Sequence, residues 1–151
     1  MRVIIAGGRD FGNRPGNDDV GQFKGIDGAW LVSCMVQMGN ALDRLYRDFE
    51  DEYHSPIKEL HVITGGAPGA DQMGSDWAVV NWVPLHEHLA DWGKYGKKAG
   101  VIRNQVMADN ADVLVAFWDG KSPGTKDMIT RALKNGLEVH VYRYQPTTIS
   151  N

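Results

Sequence analysis

The sequence predicts an α/β fold, an open parallel sheet of about five strands with helices on both faces. Three observations carry this. Five short apolar runs alternate with helical patterns. Arg2 to Ala6 and Val113 to Trp118 are apolar at nearly every position, as central strands covered on both faces are. Glycine-rich turns follow the first, second and fourth runs at once, and in a parallel sheet all three would share the carboxyl edge, where such folds bind ligands.

The bounds agree with one domain over residues 1–151. A formal net charge of −3, with no block of like charge, disfavours nucleic acid as a partner. The single Cys34 suits a reducing cytosol, and it lies in an apolar helical pattern that favours core packing over nucleophilic chemistry. Met1-Arg2 leads directly into a strand, without a signal peptide, and no run reaches membrane-spanning length, so a cytoplasmic protein is expected.

Taken in order, the strand Arg2–Ala6 is followed by Gly7-Gly8-Arg9-Asp10-Phe11. The dinucleotide fingerprint Gly-x-Gly-x-x-Gly is absent. Arg9 stands at the crevice mouth, where it can clamp a phosphate or carboxylate or form a surface ion pair with Asp10. Residues 12–28, rich in Gly, Asn and Asp, read as a long loop, either a mobile lid or linker-like. Ala29 to Glu52 is a strong helix, with Trp30, Leu31, Cys34, Met35, Met38, Leu42, Leu45, Tyr46 and Phe49 at helical spacing for a core or a subunit interface. Gly39 within it either weakens the helix or permits close packing, and Tyr53 to Pro56 ends it.

Glu59 to Thr64 is the second strand, and Gly65-Gly66-Ala67-Pro68-Gly69-Ala70-Asp71 leads into a helix through Met73, Trp77, Ala78 and Val80. Pro84 to Leu89 is a short strand whose His86 and His88 suit hydrogen bonding better than a metal, since no third ligand is near in sequence. Ala90 to Gly100 reads as a loop in which Trp92 or Tyr95 can stack on a base and Lys97 or Lys98 can meet a phosphate. Val101 to Asn110 is a helix carrying Arg103 and Asn104. After the strand Val113–Trp118, Asp119, Gly120, Ser122, Pro123 and Gly124 break the pattern, and a helix follows with Met128, Ile129, Ala132 and Leu133 on one face. Leu137 to Tyr144 is the last strand, and 145–151 a frayed tail.

Strand, glycine turn and helix together make an anion site, because the free N–H groups of the first helical turn and the helix dipole both favour negative charge. Gly120 and Gly124 admit a close ligand, and Ser122 and Thr125 add hydroxyls. The plainer reading is an ordinary capped turn. Two such turns, at Gly65–Asp71 and Gly120–Thr125, strengthen the case for a nucleotide-like ligand.

Gly7-Gly8-Arg9-Asp10-Phe11, Thr64-Gly65-Gly66-Ala67-x-Gly69-Ala70-Asp71, Ala90-Asp91-Trp92, Ala99-Gly100-x-Ile102-Arg103-Asn104 and Ala116-Phe117-Trp118-Asp119-Gly120-x-Ser122-x-Gly124-Thr125 resemble the YspA/YpsA-related branch of the SLOG superfamily. That superfamily joins the DprA (Smf) DNA-processing proteins to the LOG cytokinin-activating enzymes. The resemblance implies a Rossmann-like fold that senses or sequesters a nucleotide or nucleotide-derived ligand, such as an ADP-ribose-like molecule, without another cofactor or a metal. The ligand-binding residues implied are Gly7, Gly8, Arg9, Gly65, Gly66, Ala67, Gly69, Asp71, Trp92, Arg103, Asn104, Asp119, Gly120, Ser122, Gly124 and Thr125.

The alternative is a LOG-like hydrolase of the N-glycosidic bond of nucleoside monophosphates, with Arg103 at the place of the catalytic Arg. Gly124-Thr125 matches the LOG signature, but Met128 stands where that signature has Glu, and a thioether cannot do a carboxylate's work. Asp127, one residue earlier, faces about 100° away on a helix. The apolar first helix is also consistent with a homodimer or higher homo-oligomer.

Overall fold

Alternation along the strands sets the layers of the molecule. The computed structural model describes residues 1–21, 23–53 and 60–145. In β1 (Arg2–Gly7) and β6 (Val113–Trp118) successive side chains enter opposite cores. Val3, Ile5, Val113, Val115 and Phe117 belong to one core, and Ile4, Ala6, Leu114 and Ala116 to the other. Apolar residues on both faces demand cover on both. The first core is closed by α1 (Gly28–Tyr53) and α2 (Ala70–Val80), the second by α4 (Ala99–Asp109) and α5 (Pro123–Lys134).

With β4 (His61–Thr64), β5 (Leu85–Glu87) and β7 (Glu138–Arg143), the five parallel strands run in the order β5-β4-β1-β6-β7. The expected α/β architecture is therefore present. The chain builds outward from β1 to β5, then crosses to β6 and builds the other way. The crevice of such a sheet lies where the order reverses, at the carboxyl ends of β1 and β6.

Two stretches read as loops are ordered differently. Within 12–28, β2 (Pro15–Val20) and β3 (Phe23–Ile26) form an antiparallel ladder with irregular register between Pro15 and Asp19. Backbone pairing makes this hairpin, so a period-two apolar signal is missing. Asp18 and Asp27 carboxylates accept from the Gly28 and Trp30 amides, each at 3.0 Å, which ties the hairpin to the start of α1. Within 90–100, α3 (Trp92–Tyr95) and a 3₁₀ turn (Gly96–Lys98) run straight into α4. The Asp91 carboxylate caps α3 by accepting from the Lys94 amide at 3.0 Å.

Leu31, Cys34, Met38, Leu42 and Leu45 of α1 are buried as expected, and burial pushes the Cys34 thiol up to about 11. Met35 and Tyr46 lie open to solvent, as does Leu133 on α5, because two flat layers cover only part of each helix. The Phe49 side chain, the helix end expected through Pro56, the strand start at Glu59 and the tail after Gln145 lie outside the described residues. Among the described residues no helix is long and apolar enough to cross a membrane.

Two helical glycines make opposite predictions. A Cβ on Gly74 would lie 2.7 Å from Ile5 Cγ2 in the first core, whereas none of the described atoms comes within 4 Å of one on Gly39. Gly74→Ala is expected to cost about 1–3 kcal/mol through overpacking. Gly39→Ala is expected to stabilise by about 0.5–1 kcal/mol. Urea midpoints of the two variants check both signs.

Candidate functional site

The turn after β1 has no room for side chains. The Gly8 amide donates to the Phe117 carbonyl at 3.1 Å, and the Gly8 carbonyl accepts from the Ala70 amide at 3.1 Å. A Cβ on Gly7 would meet the Phe117 carbonyl, and one on Gly8 the Tyr144 hydroxyl. That hydroxyl donates to Asp10 Oδ1 at 2.6 Å, and Trp30 Nε1 donates to the Asp10 carbonyl at 2.7 Å. Asp10 is thus held from the far end of the chain, and burial together with this carboxylate pushes the Tyr144 pKa up.

The second turn is shaped around Arg103. Its Nη1 donates to the Gly65 carbonyl at 2.7 Å and its Nε to Asn104 Oδ1 at 3.0 Å. A Cβ on Gly65 would collide with the guanidinium on one side and sit 2.8 Å from Asp71 Oδ2 on the other. Asp71 accepts from the Ala67 amide at 3.3 Å. Burial pushes its carboxyl up to about 6, against the opposing pull of the Ala67 and Gly65 amides and the Arg103 and Arg9 charges. Arg103 is itself half-buried, which lowers its pKa, with Asp71 opposing and Arg9 adding to the effect.

The third turn is an Asx turn. Asp119 Oδ1 accepts from the Lys121 and Ser122 amides at 2.8 and 2.7 Å. Gly120 takes φ 84°, and a Cβ there would strike the Arg143 guanidinium. Ser122 is the N-cap of α5, and its hydroxyl makes no capping bond. Pro123 follows at N1 without an N–H, so the amides of this helix start that lack a partner within the helix belong to Gly124 and Thr125. No described atom lies within 4 Å of a Cβ position on Gly124. The two glycine-rich helix starts therefore differ. That of α2 is occupied by the chain, through the Ala70 bond to Gly8 and the Asp71 carboxylate, while that of α5 lines the cavity and leaves the Gly124 Cβ position open.

The first and third turns, Ala67 and Asp71 of the second, and the α3–α4 segment enclose a cavity of about 660 Å³. Of the residues expected from sequence, Gly7, Arg9, Ala67, Asp71, Trp92, Arg103, Asn104, Asp119, Ser122, Gly124 and Thr125 line it. Gly8, Gly65, Gly66, Gly69 and Gly120 do not. Gly8 lies beneath Tyr144, Gly65 holds Arg103, and Gly66 (φ 71°) packs against Leu89. Gly69 (φ 85°) packs against the Gly8 and Arg9 backbone, and Gly120 lies against Arg143.

Asp10, Gly100 and Asp127, not among the expected site residues, line the cavity too, with Pro123 of the third turn, Met128 at the signature glutamate position and Lys97, weighed as a phosphate contact. Asp127 accepts from Arg131 Nε at 2.9 Å, one turn on along α5, and from Asn104 Nδ2 of α4 at 3.0 Å, a pairing between helices that helical phase cannot reveal. Met128 is buried beneath the site. Asp10, Asp119, Asp127 and Asp71 all accept from structural donors, and of the four it is Asp71 whose carboxyl burial raises. His86 instead pairs with His61, ring nitrogen to ring nitrogen at 2.8 Å, on strands away from the cavity.

A family model, YAcAr, described as the YspA, cpYpsA-related SLOG family, matches residues 1–95. The Gene 61 protein of Mycobacterium phage D29 is 41% identical over 98 residues, covering 59% of this chain and 76% of that protein. No solved structure matches.

The Asp71 environment gives a pH signature. Below about 3.8 the carboxyl is protonated whether the chain is folded or not, and above about 6 it is ionised in both states. Between them the folded state holds the proton more tightly, so this group's contribution to stability is lost as pH rises from about 4 to about 6. The loss amounts to about 3 kcal/mol at most. Asp71→Asn should remove that slope, and the difference between wild-type and variant unfolding free energies across pH 4 to 7 measures it.

Proposed function

The chain belongs to the YspA, cpYpsA-related SLOG family, and on that footing we propose that it binds a nucleotide or nucleotide-derived ligand in the cavity at the carboxyl edge of its sheet. Family membership implies a nucleotide-related ligand in general. The open start of α5 carries the finer reading. Two unengaged amides, the Ser122 hydroxyl and the helix dipole converge on space that nothing in the chain fills. Arg9 and Lys97 line the same cavity and add positive charge for a phosphate there.

Trp92 is about half exposed and walls the α3 side, where a base can stack on it. A cavity of about 660 Å³ falls within the range of small-ligand sites and suits a nucleotide with one or two phosphates. An ADP-ribose-like molecule fits this description. Arg103 acts chiefly through the Gly65 carbonyl, shaping the second turn, and turns its remaining surface to the cavity.

A hydrolase reading has one observation in its favour. Asp71, with its raised pKa, lies in the same cavity as Arg103, and a carboxyl that exchanges its proton near pH 6 can serve as an acid. Met128 in place of the LOG glutamate counts against it.

Thermal shifts with AMP, ADP-ribose, NAD and cyclic dinucleotides test binding, since a ligand of the folded state raises Tm by mass action. Mass spectrometry of each mixture then separates intact ligand from released base. Gly124→Val, which places bulk in the open space over the α5 start, should weaken binding at least about tenfold while leaving the free protein's Tm nearly unchanged. Arg9→Gln should weaken it less. Unchanged affinity in Gly124→Val would overturn the phosphate placement, and absence of any shift would overturn the ligand class.

A further inference from the structure

Two helices end in the same hydrogen-bonding motif with unlike residues at its left-handed position. After α5, the Gly136 amide (φ 74°) donates to Leu133 O at 3.1 Å and the Leu137 amide to Ala132 O at 3.0 Å. After α2, the Trp82 amide (φ 56°) donates to Val79 O at 3.3 Å and the Val83 amide to Ala78 O at 2.8 Å. Glycine is the usual occupant because it has no Cβ to strain, and a bulky residue there is rare. Trp82 is 95% exposed, so its indole recovers almost nothing by burial within its own chain.

Beside it lies an apolar groove of about 350 Å³, walled by Leu31, Met35 and Met38 of α1 and by Met73, Trp77 and Val80 of α2. Asp76 stands on its rim, with Oδ1 engaged by Gln72 Nε2 at 2.8 Å and Oδ2 left to accept another donor. We propose that two copies of this chain form a two-fold dimer in which each Trp82 enters the groove of the other.

An indole has an apolar body and one N–H, and it needs an acceptor when buried. The groove offers adaptable methionine walls and one rim carboxylate, which complements both parts. Val80 and Asn81 line the groove directly before Trp82 in the chain, so knob and hole adjoin, as a closed isologous contact requires. Val32, Met35 and Val36 recur at helical spacing along α1, and with Val79, Val80 and Trp82 each is more than half exposed. Together they offer on the order of 600 Å² of apolar side-chain surface. A standard interface buries about 800 Å² per partner, so this patch supplies most of one side. Nucleotide binding at the sheet edge plays no part in the contact.

Sedimentation equilibrium of the full chain between about 1 and 100 μM tests it. The wild type is expected as a two-chain species with a micromolar Kd. Trp82→Gly should weaken the dimer at least about tenfold yet raise the urea midpoint of the separated chain, since glycine suits the left-handed position. Met35→Glu should weaken it from the groove side with Trp82 intact. A dimer that survives both substitutions overturns the proposal. So does a wild type that stays a single chain at the highest concentration, and uptake of an apolar dye by that single chain, abolished by Met35→Glu, would reassign the groove to a small apolar ligand.

Discussion

At the turn after β1 backbone packs on backbone, and the rest of the site is hung from it. Gly7 and Gly8 lie between the Phe117 carbonyl, the start of α2 and the Tyr144 hydroxyl, with no space for a Cβ on either. The Gly8 carbonyl takes the first amide of α2, its amide takes a carbonyl of β6, and Asp10 takes the hydroxyl of Tyr144. One turn thereby registers three elements distant in sequence. Its compactness positions Arg9 at the crevice, because the Gly69 backbone packs directly behind it.

Burial rather than pairing governs the electrostatics of the cavity. Asp71 has two arginines within electrostatic reach, and their attraction would ordinarily hold a carboxylate low, yet desolvation is the larger effect and raises it. The neighbouring carboxylates are spent on architecture. Asp119 folds the third turn, Asp127 links α4 to α5 through Asn104 and pairs with Arg131 on its own helix, and Asp10 anchors the end of β7. The unspent donors sit together at the start of α5.

The two helix starts illustrate how far local sequence reaches. Both glycine-rich turns have the composition of an anion site. Once folded, the α2 turn donates its first amide to Gly8 and packs its glycines against Leu89 and the Arg9 backbone, while the α5 turn keeps its amides open. Glycine content alone does not distinguish them. The difference arises from which element the sheet order brings alongside.

Sequence by itself determined the layers and the edge. Apolar runs at β1 and β6 demand burial on both faces, intervening helices supply it, and glycines directly after strands mark the end at which ligands are met. Eleven of the expected site residues line one cavity for that reason, since residues at the carboxyl ends of parallel strands must converge. The β2–β3 hairpin was illegible because backbone pairing of polar residues leaves no apolar period. The bonds of Tyr144 to Asp10 and of Arg103 to Gly65 were illegible because they join positions 134 and 38 residues apart, and only packing chooses such partners. Tertiary structure alone decided which glycines line the cavity and which merely make room for a neighbour, because a missing Cβ has the same appearance in sequence whatever fills its space.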